Sequence, residues 1–187
     1  MFPKKESCLI FADYPEFKPN KTPKEMFEDG VFGGTYFRPI HSRITGKNHA
    51  KMHKKFTFLS KIPEDKLSRT CENADVSINK YGVKVGTSLE FWENSGWITK
   101  YDPYGWVLWY CNFYNGRRCP DDERQIKRWN GIAGPNGRFK KNLIRQIYES
   151  KKKWNDSSVS PKIRQTLLHW CYELTKKDYD SVKKEIK

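Results

Sequence analysis

The chain has 187 residues, enough for one domain to bury a sizeable core without disulfides or a structural metal. Its 36 Lys and Arg against 22 Asp and Glu leave a formal charge of +14 and a pI near 9.5, so at neutral pH it is a polycation that draws polyanions. No 18-residue apolar segment occurs, the apolar run in the opening "MFPKKESCLIFADYP" is too short for a secretory core, and five cysteines without C-x-x-C spacing argue against a disulfide framework or a zinc knuckle. The expected location is intracellular, nuclear or cytoplasmic, with no membrane partner.

In chain order, Pro15, Pro19 and Pro23 keep the entry extended. Thr22 then caps a short helix with Pro23 at its first position, Glu25 completing a capping box and Gly30 ending it. The stretch "VFGGTYFRPIHSRITGKNH" mixes β-branched and aromatic residues with a Gly-Gly pair, predicting a strand or hairpin beside a close backbone approach. Residues 51–80 are lysine-rich and weakly patterned, fitting a short helix plus loop. In "YGVKVGTSLEFW", Val83 and Val85 alternate with Lys84 and predict a second strand.

Residues 95–118, "SGWITKYDPYGWVLWYCNFYNGRR", read as an aromatic loop interrupted by Gly96, Pro103 and Gly105. Beyond Cys119 the pattern turns helical. "PDDERQIKRWNG" puts Pro120 at a first turn with three acids where the helix dipole favours them; "GRFKKNLIRQIY" lines Phe139, Leu143, Ile144 and Ile147 on one face. In "SPKIRQTLLHWCYEL", Ser160 caps, Pro161 follows, and Ile163, Leu167, Trp170, Cys171 and Leu174 fall at helical spacing; Thr175 restarts a last helix. Together these predict an α+β fold, mainly α: a single compact domain with a small N-terminal β element and a helical C-terminal half, residues 13–118 forming the α+β part and 119–187 the helical part.

Large aromatics are mostly buried for their area, so most of the 95–118 rings serve a core, while a loop this rich in Trp and Tyr also suits the rim of a pocket. Residues 71–110 carry three basic and five acidic groups, so this block is not itself a phosphate surface. Positive charge flanks it: residues 30–63 hold seven Lys or Arg and no acid, and residues 124–153 hold ten against Glu149 alone. Brought together, these would frame an aromatic centre with a cationic rim, the combination that holds phosphates while rings stack on unpaired bases. Two solvated faces pointing apart would explain the same runs.

The two basic helices also suggest a helix–turn–helix in which the second helix offers Arg138, Lys140, Lys141, Asn142, Arg145 and Gln146, although its connection is longer than the common motif's. For proton transfer the candidates are Asp102, whose pKa burial would raise, and His41, beside Arg38 and Arg43. Asp102 could equally open an Asp-Pro turn. His49 and His53 lack a third ligand, so no metal is expected, and with no P-loop, GxGxxG, GxSxG or Cys–His signature no cofactor is expected either.

The segments "FGGTYFRPIHS", "SGWITKYDPYGWVLWYCNFYNGRRCPDDERQIKRW" and "SPKIRQTLLHW" resemble a family of small uncharacterised proteins of fungi, plants or algae and large DNA viruses, over Asp13 to Tyr179. That resemblance implies an intracellular single domain and brings no catalytic assignment. The lysine-rich segments 47–66 and 149–155 fit it least.

Three functional readings follow. In the first, the protein binds nucleic acid, and as an enzyme of repair or modification would act on an unstacked base. Arg38, Arg43, Arg117, Arg118, Arg124 and Arg128 grip phosphates, with Lys140, Lys141 and Arg145 on the second helix; Trp97, Tyr104 and Trp106 stack; Asp102 or His41 moves the proton. In the second, the aromatic pocket encloses a planar small molecule whose carboxylate or phosphate pairs with Arg38 or Arg117. A plain interaction module with a basic surface is the third. Nothing in the sequence sets the oligomeric state.

Overall fold

The computed structural model describes the backbone of residues 4–5 and 8–186 and the side chains of residues 8–184, which leaves part of the N-terminal stretch read for a secretory leader outside the described residues. Helix accounts for 47% of the chain and strand for 6%, a mainly α fold with a little β. Two antiparallel ladders supply the strand content: β1 (Lys4–Lys5) with β2 (Cys8–Leu9), and β3 (Ile40–Ser42) with β4 (Lys47–His49), the latter pairing Ile40 with His49.

The first helix, α1 (Pro23–Asp29), forms as its capping box dictates. The Thr22 hydroxyl accepts from the Glu25 amide at 3.1 Å, and the Glu25 carboxylate accepts from the Thr22 amide at 2.7 Å, so two orphan donors are satisfied reciprocally. Gly30 ends the helix at φ 98°. A Cβ there would lie 1.8 Å from the Ile78 carbonyl oxygen, so the position requires glycine. The Gly-Gly pair makes the close approach its sequence suggests: a Cβ on Gly34 would lie 2.0 Å from the Asp65 carbonyl oxygen.

Residues 51–80 run through successive single 3-10 turns rather than a helix. The alternating stretch at 81–86 is not a strand. Side chains take up two of its backbone groups instead: the Asn79 side-chain amide donates to the Val83 carbonyl at 2.8 Å, and the Tyr81 backbone amide donates to Gln165 Oε1 at 3.0 Å. It leads into a short helix, α2 (Leu89–Asn94), capped by the Ser88 hydroxyl.

The supposed aromatic loop contains α3 (Trp106–Tyr114), buried on every side except at Tyr114. A helix hydrophobic all round carries no amphipathic stripe, which is why periodicity does not reveal it. Gly105, at φ 80°, turns the chain into it. Phe17 seats itself edge-on among its rings and Trp129, with centroids 5.2–6.1 Å away. The polar tips find partners: Trp109 Nε1 donates to the Asp122 carboxylate at 2.7 Å and the Tyr110 hydroxyl to the Lys21 carbonyl at 2.8 Å.

Against α3 packs α4 (Asp122–Ile132), against α4 packs α5 (Arg138–Ser150), and on α5 pack α6 (Pro161–His169) and α7 (Lys176–Ile186). On α5, Leu143, Ile144 and Ile147 are fully buried, as their spacing predicts. Ser160 does not cap α6 with its side chain; it sits at φ 52° and its hydroxyl bonds to Gln146. The apolar spacing read through to Leu174 outlasts the helix, since Trp170 and Cys171 lie beyond its end, Cys171 at φ 55°. Thr175 does restart the chain, its hydroxyl accepting from the Asp178 amide at 3.1 Å.

Candidate functional site

A cavity of about 280 Å³ opens between the start of α3, the turn after α6 and the segment 85–98. Phe32 and Tyr36 reach it from the Gly-Gly turn, Trp92 and Trp97 from α2 and the chain after it, and Tyr104 and Trp106 from the entry to α3. Phe139 of α5 and Trp170 complete eight aromatic rings. Among the described residues the charged groups lining it are Arg128 and Arg138, and no carboxylate does so.

The rings are ordered by stacking. Trp106 lies face to face with Trp170 at 4.7 Å between centroids and 23°, and with Trp109 at 4.9 Å and 29°. Its Nε1 donates to the His169 carbonyl at 3.1 Å. The Arg128 guanidinium lies 5.4 Å from the Trp170 ring and 5.2 Å from Trp97, extending the ladder to the mouth. Trp97 is 40% exposed there, edge to face with Phe91 at 5.6 Å.

Electrostatically the cavity is cationic. Burial, then the neighbouring Arg124 charge, hold Arg128 down to about 10, still charged at neutral pH. Arg128 donates to Gln125 Oε1 at 2.9 Å, and neither it nor Arg138 has a carboxylate within ion-pairing distance among the described residues. His169, also on the wall, is neutral, since burial pushes its pKa down to about 3. It stacks on Phe32 at 3.8 Å.

Five residues singled out by sequence thus meet here: Trp97, Tyr104, Trp106, Arg128 and Arg138. The other arginines are mostly held by acids of the same chain. Arg43 binds Glu93 at 3.1 Å, Arg118 binds Asp13 at 2.5 Å, and Arg124 binds Asp121 at 2.5 Å. Arg117 grips Asp102 through both oxygens, at 2.9 and 2.6 Å, with Asn112 adding a third bond at 2.7 Å. Asp102 is 1% exposed, and burial outweighs Arg117 to leave its carboxyl above the ordinary range.

His41 stands exposed on β3, bonded to Asn48 at 2.8 Å and away from the cavity wall. Arg38 donates to the Thr35 carbonyl at 3.2 Å. On α5, Lys140 is 5% exposed and faces Asp178 at 3.8 Å, so it is no base-reading side chain; Lys141 is half-buried and Arg145 exposed.

The sequence reading missed Phe32, Tyr36, Trp92, Phe139, His169 and Trp170 as members of the site. A usable signal existed for His169: with Gln165 it forms a polar pair one turn apart on a helix whose buried side also carries Leu167 and Leu168. No family model, curated protein or solved structure matches the chain.

Proposed function

We propose that this protein binds a planar anionic ligand of nucleobase or small heteroaromatic size in the aromatic cavity. The observation that carries this is the lining: eight rings, two arginines without an acid partner, and no carboxylate among the described residues. Rings offer faces for stacking, and Arg128 and Arg138 offer charge-assisted hydrogen bonds to a carboxylate or phosphate at the mouth. The volume lies near the lower end of the roughly 300–1,000 Å³ usual for small-molecule sites, which favours a compact ring system.

A second reading takes the ring to be an unstacked base of a nucleic acid. It is favoured by the charge of +14 and by Trp97 and Phe91 standing exposed at the mouth, where a neighbouring base could stack. The five free thiols support an intracellular setting for either.

One titration separates them. Tryptophan quenching is followed while aromatic carboxylates, nucleoside monophosphates and single-stranded oligonucleotides are added across a salt series. Saturable quenching by the small anions, changing little with salt, is the expected outcome. Quenching by oligonucleotides alone, with affinity falling steeply as salt rises, would transfer the cavity to the nucleic-acid reading. No quenching by any of them would sink both.

A further inference from the structure

His169 has its proton placed by the fold. The Gln165 amide, fully buried, accepts from the Tyr81 N–H at 3.0 Å through Oε1 and donates to the Gly30 carbonyl at 3.1 Å through Nε2, so both backbone partners set its orientation. Its remaining amide hydrogen therefore points along the 3.2 Å contact to His169 Nε2. The Phe32 N–H, which can only donate, reaches the same nitrogen at 3.2 Å. With two donors on it, Nε2 must carry the lone pair, and a neutral ring then holds its proton on Nδ1.

That Nδ1–H has no partner among the described residues. Nor is it sealed in: the buried side-chain atoms without partners are His53 Nδ1, Thr99 Oγ1 and Arg117 Nε. His169 is only 5% exposed, and the open space it lines is the cavity. Three hydroxyls of the wall are already engaged. The Tyr36 hydroxyl donates to the Tyr104 carbonyl, the Tyr104 hydroxyl to the Arg38 carbonyl, and the Thr166 hydroxyl to the Lys162 carbonyl. Phe32 supplies its amide from φ 54°, a strained conformation for a non-glycine residue, and such strain persists where the surroundings hold it.

We infer that His169 is a specificity-determining residue of the cavity, donating Nδ1–H to an acceptor on the edge of the bound ring, with Gln165 as the positioning residue that sets the tautomer. This rests on the cavity being a ligand site and narrows its ligand class to heteroaromatic anions bearing a ring nitrogen or ring carbonyl, over all-carbon rings of the same shape. A buried donor left unsatisfied costs enough to discriminate between such isosteres by at least about fivefold.

The test pairs 2-naphthoate with the isomeric quinoline carboxylates, which differ from it by a ring nitrogen, and measures both affinities by tryptophan quenching. At least one quinoline isomer should bind the wild type about fivefold or more tightly than 2-naphthoate. His169→Leu should abolish that preference while still binding 2-naphthoate, and His169→Asn, whose amide nitrogen can overlay Nδ1, should retain part of it. Nitrogen NMR of the imidazole gives a readout independent of any ligand: Nδ1 should be pyrrole-like and Nε2 pyridine-like, with mixed tautomers in Gln165→Leu. An Nε2-protonated ring in the wild type, equal affinity for all the probes, or a preference surviving in His169→Leu would each overturn the assignment to His169 and leave the cavity reading standing. If no aromatic anion binds at all, the proposed function fails first.

Discussion

Asp102 and Arg117 carry different expected tasks in the sequence, one a proton-transfer group and the other a phosphate grip, and in the fold they answer each other. Breaking such a buried pair strands a charge: Arg117→Leu should destabilise the protein by about 3–5 kcal/mol in urea titration, and an unchanged midpoint would mean that the pair is dispensable. Two other groups shape the acid limb of stability. Burial opposes charge on Glu173, but hydrogen bonds from Lys21 and Lys80 outweigh it and hold the pKa down to about 2, against 4.5 ordinarily. A depressed carboxylate stabilises above its unfolded value, so this contribution is complete above pH 4.5 and lost as pH falls toward 2. His169 is depressed by burial from 6.5 to about 3, so the unfolded chain takes up a proton that the fold refuses. Stability should therefore begin to fall already below pH 6.5. Denaturation curves across pH should show both declines, the earlier one reduced in His169→Asn and the later one in Glu173→Gln.

At the scale of elements, local chemistry accounts for what was legible. The capping box needs only Thr22, Pro23 and Glu25, and Thr22→Ala should cost about 1 kcal/mol by thermal or urea denaturation. The faces of α5 and the restart at Thr175 follow from spacing and capping in the same way. Gly34 is legible only as a close approach; its partner, the Asp65 carbonyl, is 31 residues away and comes from the tertiary fold. Gly34→Ala should destabilise by more than about 1 kcal/mol, and retention of full stability would mean that the 62–69 turn can move aside. Two of the elements misread, the strand at 81–86 and the loop at 106–114, fail for opposite reasons. The first has β-type alternation but no neighbouring strand to pair with. The second is a helix whose stripe vanished because it is surrounded on all sides.

For the molecule as a whole, the overall charge does not predict where free charge lies. Most of the arginines assigned to phosphate are neutralised within the chain, whereas among the described residues Arg128 and Arg138 at the cavity have no acid partner. The rings divide similarly. Trp106 is a core residue as well as a wall, stacked on three rings, so Trp106→Ala should cost about 3–5 kcal/mol of stability and cannot report binding alone. Trp97 is the cleaner probe: Trp97→Ala should leave the urea midpoint within about 0.5 kcal/mol and weaken ligand binding by about 0.5–1.5 kcal/mol, the worth of one aromatic pair. Unaltered affinity in a folded variant would remove the mouth from the site. By itself the sequence determined the mainly helical class and the capping at Thr22 and Thr175, because these depend on residues within a few turns of one another. Only the tertiary structure decided which rings are core and which are cavity, which cations remain unpaired, and where the proton on His169 sits. Those depend on partners up to 137 residues apart, such as Phe32 and His169, whose meeting is set by packing.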